Sequence, residues 1–269
     1  MRLRIAALMA NIAMSGVLAY AEVSMAASPP PMSLEWYGHS CFLLTLQNGA
    51  KILIDPYDTS KVPYSLPQGE VDLTFSTHDH FDHNAVNAVS AKTVLRADGR
   101  EPIFFGTLSG SEALPNGTTE VDLRGDKLIC KTVPSFHDER KGDQRGVNGI
   151  IRLTVDGITI VHVGDLGDTL TAEQVKALQP VDVLLIPVGG YYTIDAAHAQ
   201  KVVQALNPKI VIPMHYKTKL VPDFPISTID DFLQGYAHVR HNEGSSITIY
   251  ASQLPADLTV EVLKYHGQK

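Results

Sequence analysis

The residues Ser76-Thr77-His78-Asp79-His80-Phe81-Asp82-His83-Asn84 form a polar segment that directly follows the apolar run at 71–75. Three imidazoles and two carboxylates stand within the six positions 78–83. Imidazole nitrogen and carboxylate oxygen are the groups that bind zinc, iron and manganese in proteins. Because side chains alternate in direction along an extended segment, His-x-His-x-Asp-His lets alternate side chains converge while Asp79 and Phe81 face away. The segment predicts a metal-ligand cluster rather than a solvated polar loop.

Three distant polar residues each follow a strand-like apolar run. They are His137, Asp165 and His215, which come after the runs 131–136, 160–164 and 210–214. A single histidine after a strand is more often a capped or solvent-facing residue. Strand ends are nevertheless where a scaffold presents functional groups in loops. Together the three runs predict that their terminal residues meet the 78–83 cluster at one edge of the fold.

The apolar runs predict two packed sheets with helices on their outer faces. Strands are predicted at 34–37, 41–46, 51–54, 71–76, 93–96, 127–133, 149–155, 158–163, 181–187 and 209–213, with a last pair at 246–250 and 258–263. Helices are predicted at 84–89, 171–178, 195–206 and 229–236. No long linker or low-complexity segment divides the chain after residue 32, so one domain at 32–269 is expected.

The N-terminus has the pattern of a secretory signal. A basic start at 1–4 precedes an apolar stretch at 5–19, and small residues surround position 21. We expect a signal peptide at 1–21, with a cut after 26 as the alternative. An uncleaved anchor is the competing interpretation, but the stretch is shorter than the roughly 20 residues that span a bilayer. A periplasmic or secreted protein with no stable membrane anchor is therefore expected.

The composition is that of an ordinary globular protein. Of 269 residues, 44% are hydrophobic and 19% charged, and the net charge of -7 comes with no basic stripe. We therefore expect a small-molecule substrate and no nucleic-acid partner. Cys41 and Cys130 are the only cysteines, and neither has zinc-motif spacing. Export would permit a disulfide between them, but both lie in apolar runs, which favours two buried thiols.

The order of His-x-His-x-Asp-His, His137, Asp165 and His215 resembles the ligand motifs of the metallo-β-lactamase superfamily. Asp55, in Ile52-Leu53-Ile54-Asp55-Pro56, matches the first, structural Asp of that family. The resemblance covers roughly residues 34–250 and implies an α/β fold, a four-layer αββα sandwich. The chain is most similar to the small single-domain group that includes the ascorbate-phosphate lactonase-like hydrolases. The segments that carry this likeness are Trp36-Tyr37-Gly38-His39-Ser40-Cys41-Phe42, Gly164-Asp165 and Pro213-Met214-His215-Tyr216.

The resemblance implies a centre of two divalent metal ions. One metal would be held by His78, His80 and His137, the other by Asp82, His83 and His215, with Asp165 as the bridge. Zinc is the first choice on ligand type, and manganese or iron also suit nitrogen and oxygen ligands. Two bridged cations lie roughly 3.5 to 4 Å apart and supply a hydroxide nucleophile near neutral pH. Asp82 is the catalytic candidate, able to steer the hydroxide or pass a proton to the leaving group.

Other residues have weaker signals. His39 and Tyr216 are candidate substrate-binding residues, although His39 is equally consistent with a hydrogen-bonded structural histidine. Asp195 fits either the cleft or a helix N-cap, and the cap is favoured. The remaining candidates are Tyr191 and Tyr192, as pocket or packing residues, and His162, His198, His238, His241 and His266, as structural or surface residues.

The expected function is metal-dependent hydrolysis of a small ester, lactone or phosphodiester. Superfamily membership alone names no substrate. A weak β-lactamase is the first alternative, disfavoured because exported β-lactamases of this fold commonly have Cys or Ser where Asp165 stands. A non-catalytic metal-binding protein on the same scaffold is the second, disfavoured because such a protein has no need to keep a bridging Asp.

Overall fold

The structure is a computed structural model that describes residues 31–97, 111–114 and 118–269. The predicted signal peptide at 1–21 and its alternative end at 26 lie outside the described residues, and the single domain at 32–269 stays a prediction. The strands are β1 (Met32–Gly38), β2 (Cys41–Thr45), β3 (Lys51–Ile54), β4 (Val71–Ser76), β5 (Ala91–Arg96), β6 (Ser111–Leu114), β7 (Thr118–Leu123), β8 (Asp126–Phe136), β9 (Val147–Val155), β10 (Ile158–His162), β11 (Val183–Pro187), β12 (Ile210–Met214), β13 (Val239–His241), β14 (Ser246–Ile249) and β15 (Thr259–Val262). The helices are α1 (Ala172–Leu178), α2 (Ala196–Leu206) and α3 (Asp230–Leu233), with a 3-10 turn at Ala251–Gln253.

These strands form two mixed sheets. The first has the order β14-β1-β2-β3-β4-β5, and the second the order β13-β15-β12-β11-β10-β9-β8-β7-β6. In the first sheet β3, β4 and β5 are parallel neighbours, while β1, β2 and β14 pair antiparallel. In the second sheet β10, β11 and β12 are parallel neighbours, and β6 to β10 run antiparallel.

Four strands that take part in parallel pairing lie in the centre of the protein. Every residue of β4, β10, β11 and β12 is buried, and the apolar side chains of both sheets form one continuous core. Burial on both faces explains why the sequences of β11 and β12 read as unbroken apolar runs instead of alternating ones. Helix α1 packs against β8 and helix α2 against β11, on the second sheet.

The two longer helices begin as their sequences predict. Thr171 and Gln174 form a capping box at α1, and the side chain of Asp195 accepts a hydrogen bond from the His198 backbone N–H at the start of α2. Asn207, in the left-handed conformation with φ 48°, ends α2. Each cap satisfies backbone groups that a helix end leaves without partners.

We expect Asp195→Ala to lower the free energy of unfolding by about 1 kcal/mol, since it removes the N-cap of α2. The hydrolytic activity expected from the sequence should stay close to that of the wild type. Urea unfolding followed by circular dichroism measures the first quantity, and initial rates measure the second. Asp195→Ser keeps a capping oxygen and serves as the matched control. A large loss of kcat in both variants would instead assign Asp195 to the reacting centre.

Three predictions about elements are wrong. Residues 84–89 form successive turns instead of a helix, with Ala88 N–H donating to Ala85 O and Ala85 N–H donating to Pro56 O. The predicted helix at 229–236 is reduced to α3, because the chain turns at Gly235 with φ +89°. The strands predicted as a final pair belong to different sheets: β14 pairs with β1, and β15 pairs with β12 and β13. Strands β6, β7 and β13 were not predicted.

The two cysteines lie in the core. Cys41 in β2 and Cys130 in β8 are buried free thiols, as favoured from the sequence. In the part of the chain that the structure describes, no helix has the length and apolar character needed to cross a membrane.

Candidate metal centre

The predicted ligands come together where strands of both sheets end. The 78–83 segment follows β4 of the first sheet, and His137, Asp165 and His215 follow β8, β10 and β12 of the second. His39 joins them from the tight turn between β1 and β2, where its φ is 52°. They converge because each of them lies in a loop or turn at the end of a strand, where a scaffold presents functional groups.

Asp165 lies at the centre of this cluster. Its Oδ2 atom lies 3.1 Å from His137 Nε2 and 3.4 Å from His215 Nε2. Its other oxygen, Oδ1, lies 3.2 Å from His83 Nε2. One carboxylate is thus within contact distance of histidines from three separate loops, which is the position that a bridging ligand would occupy.

The histidines and carboxylates divide into overlapping groups whose nitrogen and oxygen atoms lie within 4.8 Å of one another. These groups are His78, His80 and His137; His39, Asp82, His83 and His215; and His78, His83 and Asp165. The first two contain the two ligand sets implied by the sequence, and the third joins them. The one addition is His39, whose Nε2 lies 3.0 Å from Asp82 Oδ2.

Asp55 supports the cluster through hydrogen bonds to residues of the 77–83 segment. It is fully buried, and its carboxylate accepts hydrogen bonds from the Thr77 backbone N–H and hydroxyl, both at 2.7 Å. Its Oδ2 also lies 2.7 Å from His83 Nδ1. A carboxylate on the far nitrogen of a metal-binding histidine fixes the orientation of the ring and raises its basicity. This arrangement agrees with the structural role expected for Asp55.

Asn148 holds Asp165 in place and was not found from the sequence. Its Oδ1 accepts a hydrogen bond from the Asp165 backbone N–H, and its Nδ2 donates to Val163 O and Ser135 Oγ. Gly164, between these residues, has φ +58°, and a Cβ there would stand 2.3 Å from Asn148 Oδ1. A lone Asn inside an apolar strand pattern was the only available signal.

Two buried atoms without hydrogen-bond partners, His83 Nε2 and Asp165 Oδ1, support the fit of this cluster to a metal. Among the described residues, the unpartnered buried side-chain atoms include four from this cluster: His83 Nε2, His137 Nδ1, Asp165 Oδ1 and His215 Nδ1. Each such atom costs about 1 to 3 kcal/mol unless something satisfies it. His83 Nε2 and Asp165 Oδ1 approach each other without a hydrogen bond. A cation satisfies lone pairs that converge in this way.

The electrostatics also favour a cation. Burial lowers the pKa of His78 well below its ordinary value and lowers the pKa of His80 as well, which favours the neutral form that binds metals. Burial raises the pKa of Asp165, but His215 and His83 outweigh it and hold that pKa well below its usual range. Burial lowers the pKa of His83, but Asp165 and Asp55 raise it well above normal, which reflects a strongly negative potential at this ring.

His39 is neutral at physiological pH. Burial and the nearby His215 lower its pKa to about 4, against the opposing effect of Asp82. Its backbone oxygen accepts hydrogen bonds from Trp36 Nε1 and from the His215 backbone N–H. His39 therefore links the β1–β2 turn, Asp82 and His215.

The structure does not bring every candidate into this cluster. Tyr216 is buried against Trp36, with ring centroids 5.3 Å apart, and lines a different cavity that also contains Tyr265. Asp79 is exposed and bound by the Asn84 amide. His162 is buried with its Nε2 2.9 Å from Ser40 O, and His198, His238 and His266 lie beside Asp195, Asp257 and Glu35. His241 lines the cavity of Tyr216.

A cleft of about 470 Å³ leads from the solvent to the metal ligands. Its lining consists of His39, His80, Asp82, His137, Asp165, Lys61, Phe81, Arg145, Tyr192 and Phe224. Tyr192 was among the sequence candidates, and Phe81, expected to face away from the cluster, is exposed and lines the same cleft as His80 and Asp82. Lys61, Arg145 and Phe224 come from loops without a recognisable pattern, so sequence reasoning missed them.

Known proteins similar to this chain are described as metal-dependent hydrolases. The family model described as a beta-lactamase superfamily domain matches residues 33–215. A UPF0173 metal-dependent hydrolase of Pyrobaculum arsenaticum is 30% identical over 196 residues, covering 70% of this chain and 85% of the relative. One from Staphylothermus marinus is 33% identical over 198 residues, covering 69% and 83%.

Two solved structures have a similar fold. A Thermotoga maritima protein, described as a candidate Zn-dependent hydrolase of the metallo-beta-lactamase superfamily, superposes with a TM-score of 0.64 at 31% identity. The match covers 86% of this chain and 98% of that one. The metallo hydrolase Igni18 of Ignicoccus hospitalis gives a TM-score of 0.54 at 25% identity, covering 81% and 98%. The two mixed sheets with few helices are consistent with the predicted fold.

Proposed function

Because the chain belongs to the metallo-β-lactamase superfamily and is a metal-dependent hydrolase, we propose that it hydrolyses a small ester, lactone or phosphodiester at a dinuclear centre. The observation that carries the proposal is the position of the Asp165 carboxylate, within 3.4 Å of histidines from three loops. In this proposal His78, His80 and His137 hold one metal, and Asp82, His83 and His215 hold the other. Asp165 bridges them.

The two cations, when bound, would supply a hydroxide nucleophile near neutral pH and polarise the oxygen of the substrate carbonyl or phosphoryl group. Zinc is the first choice for a site of imidazole and carboxylate ligands, and manganese or iron have the same ligand preferences here. The name given to the Thermotoga maritima protein adds support for zinc.

Within this site Asp82 is the residue placed to handle a proton. Its Oδ2 lies 3.0 Å from His39 Nε2 and 3.9 Å from His83 Nε2. A neutral His39 donates its ring N–H to that oxygen, which holds the carboxylate in one orientation at the floor of the cleft. In this proposal the other oxygen of Asp82 would hold the metal, and from that position the carboxylate would steer the nucleophile or pass a proton to the leaving group.

The substrate size rests on the cleft, and the localisation and the preference against β-lactams rest on the sequence. The cleft volume fits a small-molecule substrate, and the pattern at 1–21 supports export to the periplasm or beyond. Asp165 stands where exported β-lactamases of this fold commonly have Cys or Ser, which favours esters and phosphodiesters over β-lactams.

Metal content and a substrate screen test the proposal together. We expect two metal ions per chain, measured by inductively coupled plasma mass spectrometry on protein purified without chelator. The zinc- and manganese-loaded forms are then assayed with lactones, phosphodiesters, thioesters and β-lactams, and at least one of the first two classes is expected to react.

Other outcomes discriminate among the functions. One ion or fewer per chain contradicts the dinuclear centre. Turnover confined to the penicillin, cephalosporin and carbapenem panel identifies a β-lactamase. Two bound ions without turnover of any class favour a metal-binding protein.

A further inference from the structure

The rim of the cleft carries two cationic side chains, Lys61 and Arg145, that the proposed chemistry does not use. Lys61 comes from the loop after β3 in the first sheet, and Arg145 from the loop after β8 in the second. Both are more accessible than the buried ligands: Lys61 is exposed, and Arg145 is half-buried. They therefore face a bound molecule at a distance from the reacting bond.

Neither cation has a strong partner within the chain. Among the described residues no carboxylate lies within ion-pair distance of Arg145, and its guanidinium packs over the Tyr192 ring at 5.7 Å. Lys61 lies 4.0 Å from Asp58 Oδ2, an exposed contact of the kind that contributes little stability. Its ammonium stands over the Phe81 ring at 4.6 Å. Both charges are thus available to a ligand.

The loop that carries Arg145 is built as a rigid support. The Asp138 carboxylate accepts hydrogen bonds from the backbone N–H groups of residues 140, 142, 144 and 145 at 2.7 to 3.1 Å. The loop closes where the His137 N–H donates to Gly146 O at 3.0 Å. The backbone of Arg145 is consequently held at a fixed position relative to His137, and preorganisation of this kind lowers the entropic cost of binding.

The charges and the walls of the cleft together define a complementary molecule. The only carboxylates in the described lining are Asp82 and Asp165, at the floor and already engaged by histidines. Phe81, Tyr192 and Phe224 give the walls an apolar character. An apolar body with an anionic end, directed toward the rim, satisfies both features.

We propose that Arg145 and Lys61 select substrates that carry a carboxylate or phosphate at the end of an apolar body, remote from the bond that is hydrolysed. This inference rests on the proposed function, since it assigns the substrate class of the same site. A neutral acyl ester, which would use the aromatic walls alone, is the competing substrate.

Two esters of equal acyl length test the selection. Mono-p-nitrophenyl glutarate carries a distal carboxylate, and p-nitrophenyl valerate is its neutral counterpart. We expect the metal-loaded wild type to have the higher kcat/KM for the glutarate. Arg145→Gln and Lys61→Gln are each expected to lower the glutarate-to-valerate ratio about 10-fold, the effect of losing one charged hydrogen bond, mainly through KM. Lys176→Gln, an exposed lysine of α1, is the matched control and is expected to leave the ratio unchanged.

A binding measurement separates this inference from the proposed function. By calorimetry the wild type is expected to bind 5-phenylpentanoate about 10-fold more tightly than 5-phenylpentanamide, and Arg145→Gln to remove that difference. The measurement needs no turnover, so it decides the inference even if neither ester is hydrolysed. Equal preferences in the wild type and in both rim variants, in rates or in binding, overturn the assignment of Arg145 and Lys61.

Discussion

Asp165→Ala is expected to lower hydrolysis at least about 1,000-fold, beyond the loss usual for one charge-stabilising group, and to deplete bound metal. The reason is the position of its carboxylate, which contacts His137, His215 and His83 from three loops. Without it, the two ligand groups share no anionic atom, and the cations would repel each other without compensation. His215→Ala is expected to abolish turnover as well, but to leave the group of His78, His80 and His137 intact and one metal bound.

Metal content and initial rates with a reactive ester are measured on the same preparations. Asp168→Ala is the matched control, because Asp168 is an exposed carboxylate in the same loop, bonded to its neighbour Thr169. It is expected to keep both metals and full activity. If Asp165→Ala retained two ions and most of its activity, Asp165 would not be the bridge.

Asp55→Ala is expected to lower the free energy of unfolding by about 3 to 5 kcal/mol, the usual loss when a buried charged network loses one member. The substitution leaves the Thr77 N–H, the Thr77 hydroxyl and His83 Nδ1 without their acceptor in a fully buried position. Activity should fall too, because His83 loses the group that orients its ring. Urea unfolding of the metal-free protein measures the stability effect separately from metal binding.

Backbone strain needs its own control, since Asp55 has φ 51° and alanine tolerates that conformation poorly. Asp156, in the exposed turn between β9 and β10, has φ 52°. Asp156→Ala therefore measures the backbone contribution alone. If Asp55→Ala cost no more than Asp156→Ala, the hydrogen bonds of Asp55 would not be stabilising.

The sequence predicts the position of the candidate metal ligands because each of them follows a strand. The strand-like runs before His83, His137 and His215 are long enough to be recognised. Strands that end at one edge of the fold bring the residues that follow them close together. Asp165 likewise comes shortly after a strand, β10. The roles of individual ligands came instead from the resemblance to a known family.

What the sequence does not predict depends on contacts between distant segments. At 84–89 the apolar spacing of Val86 and Val89 resembles a helix, but the Ala85 N–H bonds to Pro56 O and the segment folds as turns against the loop after β3. The partner of Ser246–Ile249 is β1, at the other end of the described chain, and nothing local encodes that pairing. Lys61, Arg145 and Phe224 share a cleft although they are far apart in sequence and follow no periodic pattern.

The separate destinations of β14 and β15 bear on how the protein folds during synthesis. Met32 pairs with Ile249, and the Trp36 carbonyl accepts from the His266 N–H, so one side of β1 stays without its neighbours until those late segments leave the ribosome. Pairing of such widely separated segments is slow, and an unpaired strand edge is prone to aggregation in the interval. The stretch after the last metal-ligand candidate, His215, thus has to be present before this side of β1 can pair.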